Sequence, residues 1–326
     1  MTMKRARTWR SRAALFAAGL GGGVVLLGVL ELAVRFACPW IPLQEIDKRL
    51  FAKASEEAGF EWMPGARGLA HGVEVEIDET GCRAMDGPSE YDEAWLILGD
   101  SVAFGIGVPV EETFAGLAQS AHPEVKLWNA AVIGMYAKGY PDAARRMFAV
   151  DPKIRRVTLF YCLNDIPYGT PWSSGGVEPV LSTLNRTFRT RSKLYRLIAG
   201  LAGHGVVQYF LGDYARYRNI EEREEQVFAP IAEAAAIAAH NGAAFEVILM
   251  PYEPQLRAQK PEYWSPQESL NAYLAARGIP VRDARTWFGD DPMNAHRYYL
   301  FGDPLHFNAS GHEVVYRRWI ADGPAS

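Results

Sequence analysis

Three side chains in this sequence could together turn a hydroxyl into a nucleophile. Ser101 follows Gly99-Asp100 at the end of the apolar run Ala94 to Leu98. A serine at a strand-to-helix turn can present its hydroxyl above a sheet edge. The amides that follow it and the helix dipole favour a developing anion there. A serine hydroxyl is a weak nucleophile without a base. Far along the chain stands Asp303-Pro304-Leu305-His306, followed by Phe307-Asn308-Ala309-Ser310-Gly311-His312. With Pro304 fixing the turn, Asp303 can hold one imidazole nitrogen of His306 and leave the other for Ser101. Each half has a plain structural reading on its own, because Gly-Asp-Ser recurs by chance and loop histidines are common. Finding both, each beside an element boundary, favours the chemical reading. Asp100, Asp165, Asn308 and His312 read as turn, cap or packing residues.

The surrounding elements must bring these residues together across about two hundred positions of chain. Apolar runs at Ala94–Leu98, Lys126–Val132, Arg156–Cys162, Ala244–Met250 and Ile279–Asp283 read as strands. Helical patterns lie between or after them, near Thr113–Ala121, Gly139–Phe148, Glu221–His240, Pro266–Arg277 and Ser310–Ile320. Alternating strands and helices predict a parallel sheet with helices on both faces, and a ligand site at the carboxyl ends of the strands. Residues 38–93 read as a connecting region with short strands such as Val73–Ile77, and residues 94–321 as the main domain. Residues 168–219 interrupt the rhythm with a Ser/Gly/Pro patch, then Arg186, Arg189, Arg191, Lys193 and Arg196, then aromatics up to Tyr217. Three readings stay open for this insertion: a lid or binding loop, a solvated elaboration, or a contact with anionic lipid headgroups.

The N-terminus predicts an anchor. Residues 1–12 carry Lys4, Arg5, Arg7, Arg10 and Arg12 and no acid, and residues 13–37 form one long apolar helix. At 1.5 Å per residue this helix spans a hydrocarbon core of about 30 Å. Glu31 and Arg35 lie four apart on one face and can pair or snorkel near the far interface. Trp9 and Trp40 flank the run, and Pro39 and Pro42 end it. Gly19 and Gly23 form a weak pairing motif. The basic cluster predicts a cytoplasmic N-terminus and a domain outside the cytoplasm, on the periplasmic side of an inner membrane. The rival is a cleaved signal peptide, for which the run is long and a small-x-small site is lacking.

Composition narrows the partners. The 326 residues carry a net charge of −4, which argues against a nucleic-acid-binding face. Cys38, Cys82 and Cys162 have no CxxC spacing, so a zinc site is not expected. Cys82 and Cys162 read as buried thiols or as a pair. No phosphate loop, dinucleotide fingerprint or metal cluster is present in the sequence, so no cofactor is expected.

Four blocks in order resemble the SGNH (GDSL) hydrolases, over roughly Glu79 to Trp319. They are Leu98-Gly99-Asp100-Ser101 with Gly105 following, Asn129-Ala130-Ala131-Val132-Ile133-Gly134, Asn164-Asp165, and Asp303-Pro304-Leu305-His306. Glu111-Glu112-Thr113-Phe114 and Gly311-His312 resemble membrane-attached members. The resemblance implies a flavodoxin-like three-layer α/β/α sandwich with a mostly parallel five-stranded sheet. It implies Ser101 as nucleophile, His306 as base and Asp303 as its orienter. The implied oxyanion hole is the amides of Ser101 and Gly134 with the side-chain amide of Asn164. Gly139 competes with Gly134 for that place. Cys162 stands where the family usually has glycine, in Cys162-Leu163-Asn164-Asp165. The implied activity is ester hydrolysis on an acylated small molecule, lipid or glycan. The alternatives are acyl transfer to a cell-surface polysaccharide, with a polysaccharide-biosynthesis membrane protein as partner, and a non-catalytic carbohydrate-binding protein.

Overall fold

The computed structural model describes residues 2–55, 58–167, 185, 187–219, 223–289 and 291–321. Helix α1 runs Thr2–Ala37 and stops ahead of Pro39, which cannot continue it. From Arg12 to Ala37 it is long and apolar enough to cross a membrane, and its most apolar stretch is not covered by protein.

Two antiparallel hairpins follow: β1 (Phe51–Ser55) with β2 (Gly59–Trp62), and β3 (Arg67–Ala70) with β4 (Val73–Glu76). They form separate two-stranded ladders, yet Leu50, Trp62, Val75, Ile77 and Cys82 are buried in one core with the main sheet. Arg83 bridges to Asn129 at the sheet edge. This lead-in is therefore packed onto the domain.

The main sheet holds β5 (Ala94–Gly99), β6 (Lys126–Asn129), β7 (Ile154–Tyr161), β8 (Ala244–Leu249) and β9 (Val281–Asp283). Their spatial order is β6-β5-β7-β8-β9, and every neighbouring pair is parallel. That is the flavodoxin order, with its switch point between β5 and β7. The sheet expected to be mostly parallel is parallel throughout. Strand β6 ends at Asn129, yet the chain stays bonded to β5 as far as the expected Val132. Ala130 N donates to Ile97 O at 3.0 Å and Val132 N to Gly99 O at 3.2 Å, while the Ala131 amide between them turns to the Asn129 side chain. Its oxygen accepts the Ala131 amide and its nitrogen donates to Ala103 O.

The described helices after α1 are α2 (Ser101–Phe104), α3 (Phe114–Ala121), α4 (Tyr140–Val150), α5 (Lys193–Ala202), α6 (His204–Arg216), α7 (Ala229–His240), α8 (Glu253–Ala258), α9 (Ser265–Ala275) and α10 (Ala309–Ala321). Helix α3 packs with α10, and α4 with α7. Phe114, Phe160 and Trp319 join α3, β7 and α10, with ring centroids 4.3 to 6.1 Å apart. Helix α7 continues an unbroken helical run from Arg223, so the helix expected over Glu221–His240 is present wherever it is described, Glu221 lying outside the described residues. Pro230 has no N–H to donate, and the turn before it is a π-helix, Glu224–Phe228. Helices α5 and α6 lie in the insertion, whose residues 168–184 and Arg186 fall outside the described residues.

Candidate active site

The nucleophile turn is built around Gly99, at the carboxyl end of β5. Its φ is +148°, and a β-carbon there would lie 2.5 Å from the Ala103 Cβ and 2.8 Å from the Phe160 carbonyl oxygen. Only glycine fits this crossing. Asp100 then caps the single turn of α2, accepting the Val102 amide at 2.9 Å. Gly105 closes that turn in the left-handed region at φ +77°. Arg83, buried in the lead-in, donates to the carbonyls of Phe104, Gly105 and Val108. Burial lowers its guanidinium to about 10, still charged at neutral pH.

Ser101, His306 and Asp303 come together. Ser101 Oγ lies 2.8 Å from His306 Nε2, and His306 Nδ1 lies 2.9 Å from Asp303 Oδ2. The other Asp303 oxygen accepts the amides of Leu305 at 3.0 Å and His306 at 2.9 Å. Pro304 sits inside this turn, and the three-residue spacing becomes a closed, backbone-pinned pair. Burial alone would raise the Asp303 carboxyl. The imidazole of His306 and the two amides outweigh it and hold the group well below its ordinary 3.8. Burial pulls the other way on His306, but Asp303 raises its imidazole above the ordinary 6.5. The arrangement can take a proton from Ser101, and Asp303 stabilises the imidazolium that forms.

The remaining candidates are placed less directly. Gly134 lies on the turn Val132–Met135, at φ +76°, after Val132 N has bonded Gly99 O at 3.2 Å. It thus stands at the same sheet edge as Ser101. Gly139, at the start of α4, approaches the Ala58 carbonyl closely, which accounts for its small side chain. Among the described residues no hydrogen bond joins either glycine to Ser101. Asn164 is turned toward Asp100, its amide nitrogen 2.5 Å from Asp100 Oδ2, which also accepts Ser101 Oγ at 3.1 Å. Asp165 accepts Tyr140 Oη at 2.6 Å and the Cys162 amide at 3.0 Å. Burial, then Asp100 beside it, pushes the Asp165 carboxyl well above its ordinary value. Cys82 and Cys162 are separate buried thiols, and burial raises Cys82 to about 12. Asn308 caps the approach to α10 through the Gly311 amide, and His312 Nδ1 accepts the Phe114 amide.

Two contributors had no sequence signal. His71, at the β3–β4 turn, places its ring edge-on to His306 at 5.7 Å between centroids. Burial, then the His306 charge, lowers His71 to about 3, so it is neutral beside the base. Tyr252 Oη donates to Asp213 of α6 at 2.7 Å and lies 3.5 Å from Asn164 Oδ1. A cleft of about 560 Å³ opens beside the triad, with Gln44, His71, Arg189, Gln208, Tyr209 and His306 in its lining. Gln44 Nε2 lies 3.4 Å from Asp303 Oδ2 and its oxygen 3.3 Å from Arg189.

Fold and site together define a class: a doubly wound α/β protein with a Ser-His-Asp triad at the carboxyl edge of its sheet. Family models and curated proteins give no match to the chain. Solved structures similar to it include a lipolytic protein of the G-D-S-L family from Veillonella parvula, at 16% identity over 69% of this chain and 95% of that one, TM-score 0.38. The psychrotrophic esterase EstA from Pseudoalteromonas is similar at 14% identity over 71% and 96%, TM-score 0.40. The lipase/acylhydrolase from Enterococcus faecalis is similar at 14% over 69% and 94%, TM-score 0.38.

Proposed function

We propose that this chain is a serine ester hydrolase, anchored by α1, that removes an acyl group from an O-acylated glycan or lipid outside the cytoplasm. One observation carries the reading: Ser101 Oγ, His306 and Asp303 lie in line within hydrogen-bond distance. Ser101 attacks the ester carbonyl while His306 Nε2 takes its proton, then returns it to the leaving alcohol. Water activated by the same imidazole releases the acyl group. The amides of Ser101 and Gly134 and the side chain of Asn164 would hold the oxyanion. Asn164 would use its second N–H or turn from Asp100. Losing one such donor typically costs about 10² to 10³ in turnover.

The cleft beside His306 favours a second reading on the same triad. Its polar lining by Gln44, Gln208 and Arg189 suits a saccharide hydroxyl, which would replace water as acceptor. Transfer would then need an acyl donor delivered across the membrane by a partner protein. The test is hydrolysis of p-nitrophenyl acetate by the full chain in detergent, against Ser101→Ala and His306→Ala. Hydrolysis lost in both variants supports the reading. Hydrolysis retained in both sinks it. A folded parent that releases p-nitrophenol only when a glycan acceptor is added favours transfer.

A further inference from the structure

Helices α1 and α5 meet at one carboxylate. Glu31, six residues before the end of α1, accepts the Lys193 and Leu194 amides at 3.0 Å each and the Ser192 hydroxyl at 2.7 Å. It thereby caps the first turn of α5, where unpaired amides and the helix dipole favour an anion. Arg35, paired with Glu31 at 2.7 Å, donates to the Arg191 carbonyl at 2.6 Å. Lys193 Nζ donates to Pro39 O at 2.9 Å. These contacts lock α5 against the last two turns of α1.

That junction has a defined depth. A hydrocarbon core of about 30 Å takes about 20 helical residues. Counted from Ala13, just after the basic cluster, such a stretch ends near Leu32. Glu31 and the first turn of α5 therefore stand where hydrocarbon gives way to headgroups.

From there α5 turns an apolar stripe outward. Its opposite face is committed to the domain. Arg196 is buried and donates to Pro42 O and Phe301 O, and Gly200 leaves no room for a β-carbon against the Phe301 ring. Leu194, Ile198 and Leu201 recur at helical spacing on the other side, with Ile198 59% and Leu201 74% exposed. Phe36 and Trp40, 85% and 65% exposed, extend the apolar surface at the end of α1.

We propose that the Leu194-Ile198-Leu201 face of α5 lies in the interface of the bilayer that α1 crosses, as an in-plane amphipathic helix. The proposal rests on α1 being a retained membrane span. Arg191 and Lys193, at the start of α5, stand at headgroup level, where their charge suits anionic lipid. Arg189, a wall of the triad cleft, precedes α5 by four residues. The cleft is thereby held near the headgroups, and the ester it takes is one presented at the membrane surface.

The test uses the full chain in nanodiscs containing phosphatidylglycerol and nitroxide-labelled phosphatidylcholine. In a Cys38→Ser background, an environment-sensitive fluorophore is attached in turn to Leu20→Cys, Ile198→Cys, Leu201→Cys and Glu313→Cys. Cys82 and Cys162 are buried and resist labelling. The expected result is quenching at 20 by mid-chain nitroxides, and blue-shifted emission at 198 and 201 quenched by nitroxides near the headgroup. The label at 313, on α10, stays unquenched. Quenching at 20 with water-like emission at 198 and 201 overturns the in-plane helix and leaves the span standing. Absence of quenching at all positions overturns both. Ester hydrolysis, read on the same samples, reports the enzymatic reading separately.

Discussion

At the scale of single residues, the triad's electrostatics set its pH dependence. The base must be neutral to accept the Ser101 proton, and Asp303 favours its charged form. Because the His306 pKa is raised, activity should rise with pH through a midpoint above the ordinary 6.5. Asp303→Asn removes that charge, so the midpoint should move to lower pH while kcat falls by about 10⁴, because the amide favours the wrong imidazole tautomer. A kcat/KM profile from pH 5 to 9 on both proteins checks the two together. An unchanged midpoint would mean that Asp303 does not govern the imidazole. Ser101, Asp303 and His306 were legible in the sequence because each sits beside an element boundary within a short pattern. His71 was not, since nothing beside it in the sequence marks a site and its contact with His306 comes from the folding of a distant hairpin. The orientation of Asn164 was hidden for the same reason, as its partner Asp100 lies 64 positions away.

At the scale of elements, two supports of the nucleophile turn carry predictions. Gly99→Ala places a β-carbon against a backbone carbonyl that cannot yield, so it should destabilise the protein by about 1–3 kcal/mol and displace Ser101. Thermal melts and ester hydrolysis should both fall. Arg83→Met removes the guanidinium from the Phe104 and Val108 carbonyls, while Gly105 O keeps the Val108 amide, each lost partner costing about 1–3 kcal/mol if the group stays dry. Melting temperature should drop sharply. A melt unchanged from the parent would show that water replaces the guanidinium. A separate prediction concerns the sheet itself, where Glu246 on β8 pairs with Arg156 at 2.7 Å and Arg282 at 3.1 Å. Glu246→Ala would leave the buried Arg156 without its carboxylate, while Arg282 keeps the Arg318 and Trp319 carbonyls, and should cost about 3–5 kcal/mol, measured by urea unfolding. The strands were readable because buried parallel strands are near-continuous apolar runs. Helices α5 and α6 were not, although Ser192 is an N-cap and the apolar spacing is helical. The stripe of α5 faces outward, glycines punctuate it, and its cap comes from Glu31 on another helix.

At the scale of the whole molecule, the site is assembled from all parts of the chain. The nucleophile follows β5, the base precedes α10, His71 comes from the lead-in, and Arg189 from the insertion. The last turns of α1 are tied to α5 by Glu31 and Arg35, so removing α1 as a leader would uncap α5. Intact mass of protein purified from membranes should therefore show residues 13–37 retained. A mature chain starting after Ala37 would contradict that expectation. The alternation of strands and helices gave the layered architecture directly, whereas the docking of lead-in and insertion depends on contacts across the fold. The central claim is that Ser101 is a nucleophile activated by His306. Its most direct test is labelling with a fluorophosphonate, followed by mass spectrometry of the peptide containing Ser101. The expected result is a phosphonyl adduct on Ser101 in the parent, forming faster as pH rises through the His306 titration and failing to form in His306→Ala. An unmodified Ser101, or equal labelling in parent and His306→Ala, would contradict the account.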